Sequence, residues 1–259
     1  MEAVFYIVLP FLGLFGGFIA GLLGIGGGII MFPALLYVPQ LLGMTPLALP
    51  LITGLVAMQT TFGTASSAFF HQKFGTVNYK LIFSVGVAIA ISAFFGSITT
   101  KYISEVYILY TYGIFLVVSF VLLLTAKEPS TSHQQQLAEF SKMKSVCIGL
   151  LVGFPAGILG IPGSSITIPL LNRLLSIPIK VCISSVASIS FIASLAALAG
   201  KISTAQVELY SALIIAVSAM FGAYLGAKVS VKVSGKTLKR ILLLILFVFI
   251  VRLVVDIVG

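Results

Sequence analysis

Ten apolar stretches cover most of the 259-residue chain, and they constrain its fold more than any other feature. Only 8% of the residues are charged, whereas soluble domains carry about 25%. A helix needs about 20 residues to cross the bilayer core, and most of the stretches are that long. They are too long for the alternating strands of a barrel. We therefore expect an all-α polytopic membrane protein. The stretches are 3–24, 29–42, 47–70, 80–100, 105–126, 145–160, 164–175, 179–200, 205–227 and 237–257.

Two of the stretches are too short to cross, and each follows a glycine-rich break rather than a polar loop. The first break is Gly24-Ile25-Gly26-Gly27-Gly28, followed by the short stretch 29–42. The second is Gly160-Ile161-Pro162-Gly163-Ser164-Ser165, followed by 164–175. Interrupted segments at matching places in two halves of a chain are typical of transporter binding sites.

The two halves are repeats. Residues 17–35 match 153–171 at eleven of nineteen positions, at a fixed offset of 136. Farther on, Phe95-Gly96-Ser97 aligns with Phe221-Gly222-Ala223. The one polar stretch, 127–144, reads as a linker. We predict a first repeat over 1–126, a linker over 127–144 and a second repeat over 145–259.

The positive charges favour an inverted arrangement of the repeats. If each break crossed the membrane once, the halves would be parallel and Lys and Arg would divide 8 against 7. If each break instead begins a returning hairpin, each half has a broken hairpin plus three crossing helices. The charges then divide 12 against 3, a strong positive-inside pattern. This topology puts both termini outside and the linker in the cytoplasm. The three outer charges would be Lys101, Lys201 and Arg252.

The breaks predict an anion site. Backbone freed at membrane depth must be buried or line a wet cavity, and a helix N-terminus carries about half a positive charge. Since neither break contains Lys or Arg, helix dipoles are the available positive charge. The alternative is that the glycines only permit close packing, which we prefer for Gly13, Gly17 and Gly21. The candidate substrate-binding residues are Ile25, Gly26, Gly27, Gly28, Gln59, Thr60, Pro162, Gly163, Ser164, Ser165 and Ser188. His71 is a candidate gate, with interfacial solvation as its alternative role.

The chain lacks the residues that several functional classes require. None of the six acids lies deep in an apolar stretch, so coupling to protons would use the substrate's own protonation or another residue, or transport would be passive. The chain has no His-Glu-x-x-His motif, no pair of aspartates and no Walker A sequence. We expect no enzymatic activity, no cofactor, no metal and no nucleic-acid partner.

The first break, its echo and the chain length together resemble the sulfite exporter TauE/SafE family, also described as probable sulfite and organosulfonate permeases. The matching run is Gly17 to Gly28 with Pro33, echoed from Gly153 to Pro169, where Pro162 and Ser164-Ser165 depart from the glycine pattern. The resemblance implies a transporter of small sulfur-containing anions in a bacterial or archaeal inner membrane. Our first hypothesis is a secondary transporter that uses alternating access, with the two halves rocking around the two broken hairpins. An anion channel or facilitator for small oxyanions or carboxylates, and a non-transporting scaffold subunit, remain alternatives. A homodimer is one possible assembly.

Overall fold

The computed structural model describes residues 2–23, 26–74, 77–125, 140–230, 233 and 235–258. These residues form ten α-helices and no β-strand, and the expected all-α fold is confirmed. Every helix begins and ends within a few residues of a predicted stretch. The helices are α1 Glu2–Leu23, α2 Gly28–Leu41, α3 Leu49–Phe74, α4 Tyr79–Thr99, α5 Glu105–Leu124, α6 Lys142–Leu159, α7 Ser164–Leu174, α8 Ile179–Ser203, α9 Leu209–Ser230 and α10 Gly235–Val258.

Six helices of the described part are long and apolar enough to cross a membrane: α1, α4, α5, α6, α8 and α9. By contrast, α2 has 14 residues and α7 has 11, so neither reaches across on its own. The start of α6 at Lys142 falls inside the segment predicted as linker, most of which, 126–139, lies outside the described residues. The chain is thus a multi-pass membrane protein with two short helices in matching positions.

The chain reverses direction at each break. A methyl group placed at Gly27 would lie 2.8 Å from the Cβ of Ala20, and one at Gly16 would lie 2.9 Å from the sulfur of Met31. The start of α2 therefore lies back along the end of α1. In the second half, a methyl at Gly163 would lie 3.3 Å from the Cβ of Ala156. Both breaks are therefore turning points of helical hairpins.

Glycine stripes on α1 and α6 join the two halves. A methyl at Gly17 on α1 would run into the carbonyl of Ala219 on α9, and Gly13 and Gly21 face the same helix. The stripe on α6 does likewise, since a methyl at Gly153 would lie 2.6 Å from the carbonyl of Ile89 on α4. The close-packing interpretation of the α1 glycines is confirmed, because no side chain fits between these backbones.

The register of the repeat differs from the sequence alignment by one helical turn. Gly96 lies against the carbonyl of Phe154, and the equivalent contact in the other half is Gly226 against Phe18. Gly222, which the alignment matched to Gly96, lies instead against Leu14. The predicted pairing of 95–97 with 221–223 is therefore wrong. Small residues recur about every four positions on both helices, so sequence alone cannot detect a slip of one turn.

Two long helices, α3 and α8, form the centre of the molecule and run in opposite directions. Near their middles, the hydroxyls of Thr64 and Ser194 lie 3.0 Å apart. Toward one end, Lys201 of α8 donates to Thr53 of α3. This arrangement places α3 and α8 between the two hairpins and sets the position of the candidate site.

Candidate functional site

The two breaks contact each other directly, next to α3. A methyl at Gly26 would lie 2.5 Å from the Pro162 ring, and one at Gly28 would lie 2.7 Å from Ile161. Thr60 of α3 contacts both sides: its methyl packs on Gly28, and its hydroxyl donates to the carbonyl of Gly160 over 3.0 Å. The candidate residues from distant parts of the sequence therefore meet at one place.

Both turns use left-handed backbone conformations, which explains why glycines occupy these positions. Gly26 and Gly27 have φ of 81° and 64°, while Gly160 and Gly163 have φ of 71° and 72°. Side chains are strained in this region, whereas glycine is not. Pro162 occupies the position equivalent to Gly26, and proline cannot adopt a positive φ. The second turn therefore follows a different path, and its proline ring fills the space beside Gly26.

Each turn leads into a helix N-terminus at this meeting point. The carbonyl of Gly27 accepts from Ile30 and Met31, 3.0 Å each, so α2 starts at Gly28. The amides of Gly28 and Ile29 have no acceptor among the described residues. Since a helix N-terminus concentrates partial positive charge, the first break presents two N–H donors suited to an anion.

Helix α5 contacts the first turn of both short helices. Proline at position 33 has no N–H to give to the carbonyl of Ile29, one turn earlier. The buried Tyr112 replaces that donor: its hydroxyl donates to Ile29 O over 2.9 Å, and its ring stacks on Phe32 at 4.4 Å. Two turns along the same helix, Ser119 pairs with Ser165 of α7 at 3.0 Å. We assign both α5 residues a positioning role that the sequence did not reveal.

Gln59 of α3 is the least satisfied polar side chain near the breaks. It is fully buried, and neither its amide nitrogen nor its amide oxygen has a hydrogen-bond partner. The hydroxyl of Ser190 on α8 is also buried and unpartnered. Buried polar groups are nearly always paired, so such exceptions call for an explanation.

The remaining predicted residues have simpler surroundings. The Thr60 and Thr64 hydroxyls also donate to carbonyls of their own helix, as threonine hydroxyls within helices commonly do. Ser164 and Ser188 are buried, on α7 and α8. Ile25 lies outside the described residues, as does the side chain of the proposed gate, His71.

A buried lysine lies beside the second break, so helix dipoles are not the only positive charge near it. Lys201 is fully buried instead of lying in an outer loop. Its three N–H donors are shared among four acceptors at 2.7–3.2 Å: the hydroxyls of Thr53 and Thr100, the amide oxygen of Gln206 and the carbonyl of Ile158. It thus binds the C-terminal end of α6, where a helix dipole is negative. In the sequence Lys201 directly follows the apolar stretch 179–200, where a lysine normally reaches the interface, so no local signal identified its burial.

Two clefts in the described part of the chain lie away from the breaks. One, of about 620 Å³, lies between α1 and α9, and another, of about 320 Å³, between α5 and α10. Both are lined almost entirely by apolar side chains on the outer surface. No group of three His, Cys, Asp or Glu side chains that could hold a metal occurs among the described residues. At the breaks themselves the facing groups pack directly together.

Comparisons with known proteins agree on a family. The model of the sulfite exporter TauE/SafE family matches residues 9–253. The chain is 27% identical to a probable membrane transporter protein, YunE, of Bacillus subtilis, over 84% of this chain and 85% of that protein. It is 26% identical to a probable membrane transporter protein of Methanocaldococcus jannaschii, over 66% and 64% of the two chains. No solved structure matches the chain.

Proposed function

Because the chain belongs to the sulfite exporter TauE/SafE family, whose members are membrane transporters, we propose that it is a secondary transporter of small sulfur-containing anions such as sulfite or organosulfonates. The observation that carries the proposal is the direct contact between the two breaks, next to Thr60 of α3. The anion would bind between them, near the side chain of Gln59 and the amides of Gly28 and Ile29, which have no acceptor among the described residues. The second break would contribute Gly163, Ser164 and Ser165.

An inverted repeat would give this site alternating access. The equivalent helices α3 and α8 run antiparallel, as inversion requires. The glycine-stripe interface occurs twice, as α1 on α9 and as α6 on α4, and each copy joins one half to the other. Transporters built this way rock one repeat against the other around a fixed central site. The same topology would place both termini outside and the linker on the cytoplasmic side.

The structure fits a closed step of such a cycle. Gly26, Gly28 and Pro162 are all buried, and the proline ring packs directly on the first turn. An anion can reach the amides only when the two turns separate. Rocking of the halves would open that space toward one side of the membrane at a time.

Flux into proteoliposomes tests the proposal. We expect saturable uptake of radiolabelled sulfite or a sulfonate by the purified protein, and its loss in Gly28→Ala, whose methyl group would lie 2.5 Å from Thr60 and wedge the turns apart. Gly86→Ala is the matched control, because a methyl there lies 3.4 Å from its nearest neighbour. Full activity of Gly28→Ala would contradict the site.

Two other results would replace the proposal by an alternative. Single-channel conductance far above carrier turnover would identify an anion channel. If no oxyanion, sulfonate or carboxylate is taken up, and none shifts the melting temperature, the protein is a scaffold subunit and transport is refuted.

A further inference from the structure

The Gln59 amide has an unused donor and an unused acceptor, and it adjoins the first break. A methyl at Gly16 would lie 3.6 Å from the amide nitrogen, and a methyl at Gly27 would lie 2.5 Å from the carbonyl oxygen of Gly16. A methyl at Gly63 would also lie 3.6 Å from that nitrogen, and 3.9 Å from the carbonyl of Gly26. The amide therefore lies between α1 and α3, near the turn that precedes α2.

From this geometry we infer that the first break recognises a monoprotonated oxyanion, of the hydrogen sulfite kind. The negative oxygens accept from the amides of Gly28 and Ile29 and from the amide nitrogen of Gln59. The O–H group of the ligand donates to the amide oxygen of Gln59. Turning the amide over exchanges the two atoms but still leaves an NH2 donor group and an acceptor oxygen to satisfy.

The alternatives satisfy the site less well. A fully deprotonated dianion turns only lone pairs toward the Gln59 oxygen, which repels it. A sulfonate has no O–H group, so the buried oxygen stays unpaired. A site that holds a buried group for a substrate hydroxyl rejects analogues that lack it. The inference rests on the proposed function and narrows its substrate class.

Among the side chains that the structure describes, no acid near the breaks could carry the proton instead. The titratable groups that face the breaks are Tyr112, whose hydroxyl is held by Ile29, and Lys201, held by four oxygens. Glu105 and Glu208, the carboxylates whose side chains are described, are exposed and bind backbone amides near helix starts. The proton therefore moves across the membrane on the substrate.

The pH dependence of wild-type uptake is the first test. We expect the sulfite uptake rate to follow the concentration of hydrogen sulfite. The apparent KM for total sulfite then rises about tenfold per pH unit above the second ionisation of sulfurous acid. Methanesulfonate, which does not titrate in this range, should show a higher KM that is independent of pH. A KM for total sulfite that stays constant, or falls as the dianion accumulates, overturns the inference.

Gln59→Met is the second test, since it keeps the side-chain length and removes both polar atoms. We expect the preference for hydrogen sulfite over methanesulfonate to fall about tenfold or more. Gln40→Met, at an exposed glutamine of α2, should leave it unchanged. An unchanged preference in folded Gln59→Met overturns the inference, and if that variant does not fold, the wild-type profile decides. Absence of flux for both anions in wild type refutes the proposed function itself, a distinct outcome.

Discussion

Replacing Lys201 by methionine is expected to destabilise the protein substantially, although the change removes a charge from an apolar interior. The ammonium joins four elements: α3 through Thr53, the end of α4 through Thr100, α6 through Ile158 and the segment before α9 through Gln206. Methionine fills similar space but donates no hydrogen bond. The sign of the effect depends on whether the four bonds outweigh the burial of the charge.

The contacts that remain after the substitution set the magnitude. Hydrogen bonds to a charged group contribute about 1.5–3 kcal/mol each, and burying an ammonium costs several kcal/mol. Thr53 would still donate to Pro50, and Thr100 to Ile158. Only the amide oxygen of Gln206 would lose its one described partner. We therefore expect a loss of about 3 kcal/mol, within the range for breaking a buried polar cluster.

Thermal unfolding of the purified protein in one detergent measures this loss. About 3 kcal/mol corresponds to a decrease in Tm of roughly 6–12 °C for a chain of this size. Lys101→Met is the matched control, because Lys101 is exposed and follows Thr100 directly. Its Tm should change by no more than about 2 °C. If Lys201→Met melts at the same temperature as Lys101→Met, or higher, the four bonds do not exceed the desolvation of the ammonium and the reasoning fails.

Two further predictions concern packing around the breaks and stripes. Tyr112→Phe should cost about 1–2 kcal/mol by leaving the carbonyl of Ile29 unpaired, and much less in a Pro33→Ala background, where an N–H is restored to that carbonyl. Strictly additive Tm losses in the double variant would contradict this coupling. Gly17→Ala should lower the free energy of unfolding by about 1–3 kcal/mol because its methyl meets backbone of α9, whereas Gly86→Ala should be nearly neutral. Equal melting temperatures for the two alanine variants would show that the helices can separate freely.

Helix positions and hairpins could be predicted because lipid restricts the choices. A backbone in hydrocarbon must satisfy its own polar groups, so long apolar runs become helices. Short runs after consecutive glycines then have to turn, as Gly26 and Gly27 do. Hydropathy and the glycine clusters were therefore enough to predict where the helices lie and where the chain turns.

Features that depend on several distant segments could not be predicted. Lys201 lies near a helix end, where a lysine normally reaches the interface, and its four partners come from separate parts of the chain. Pro33 indicates a carbonyl without its donor, but nothing in the sequence near it identifies Tyr112 as the replacement. The importance of Gln59 could be predicted from its polarity, whereas its lack of partners required the packed structure.

The pairing of α1 with α9 has a consequence for biogenesis. The glycine stripe of α1 enters the membrane well before its binding surface around Ala219, which is translated about 200 residues later. At 5–20 residues per second, α1 waits roughly 10–40 s for its partner. A stripe of glycines suits that delay, because it exposes no polar side chain to lipid while unpaired. Neither half can complete its packing alone, so the chain reaches its native state only after the second repeat has been inserted.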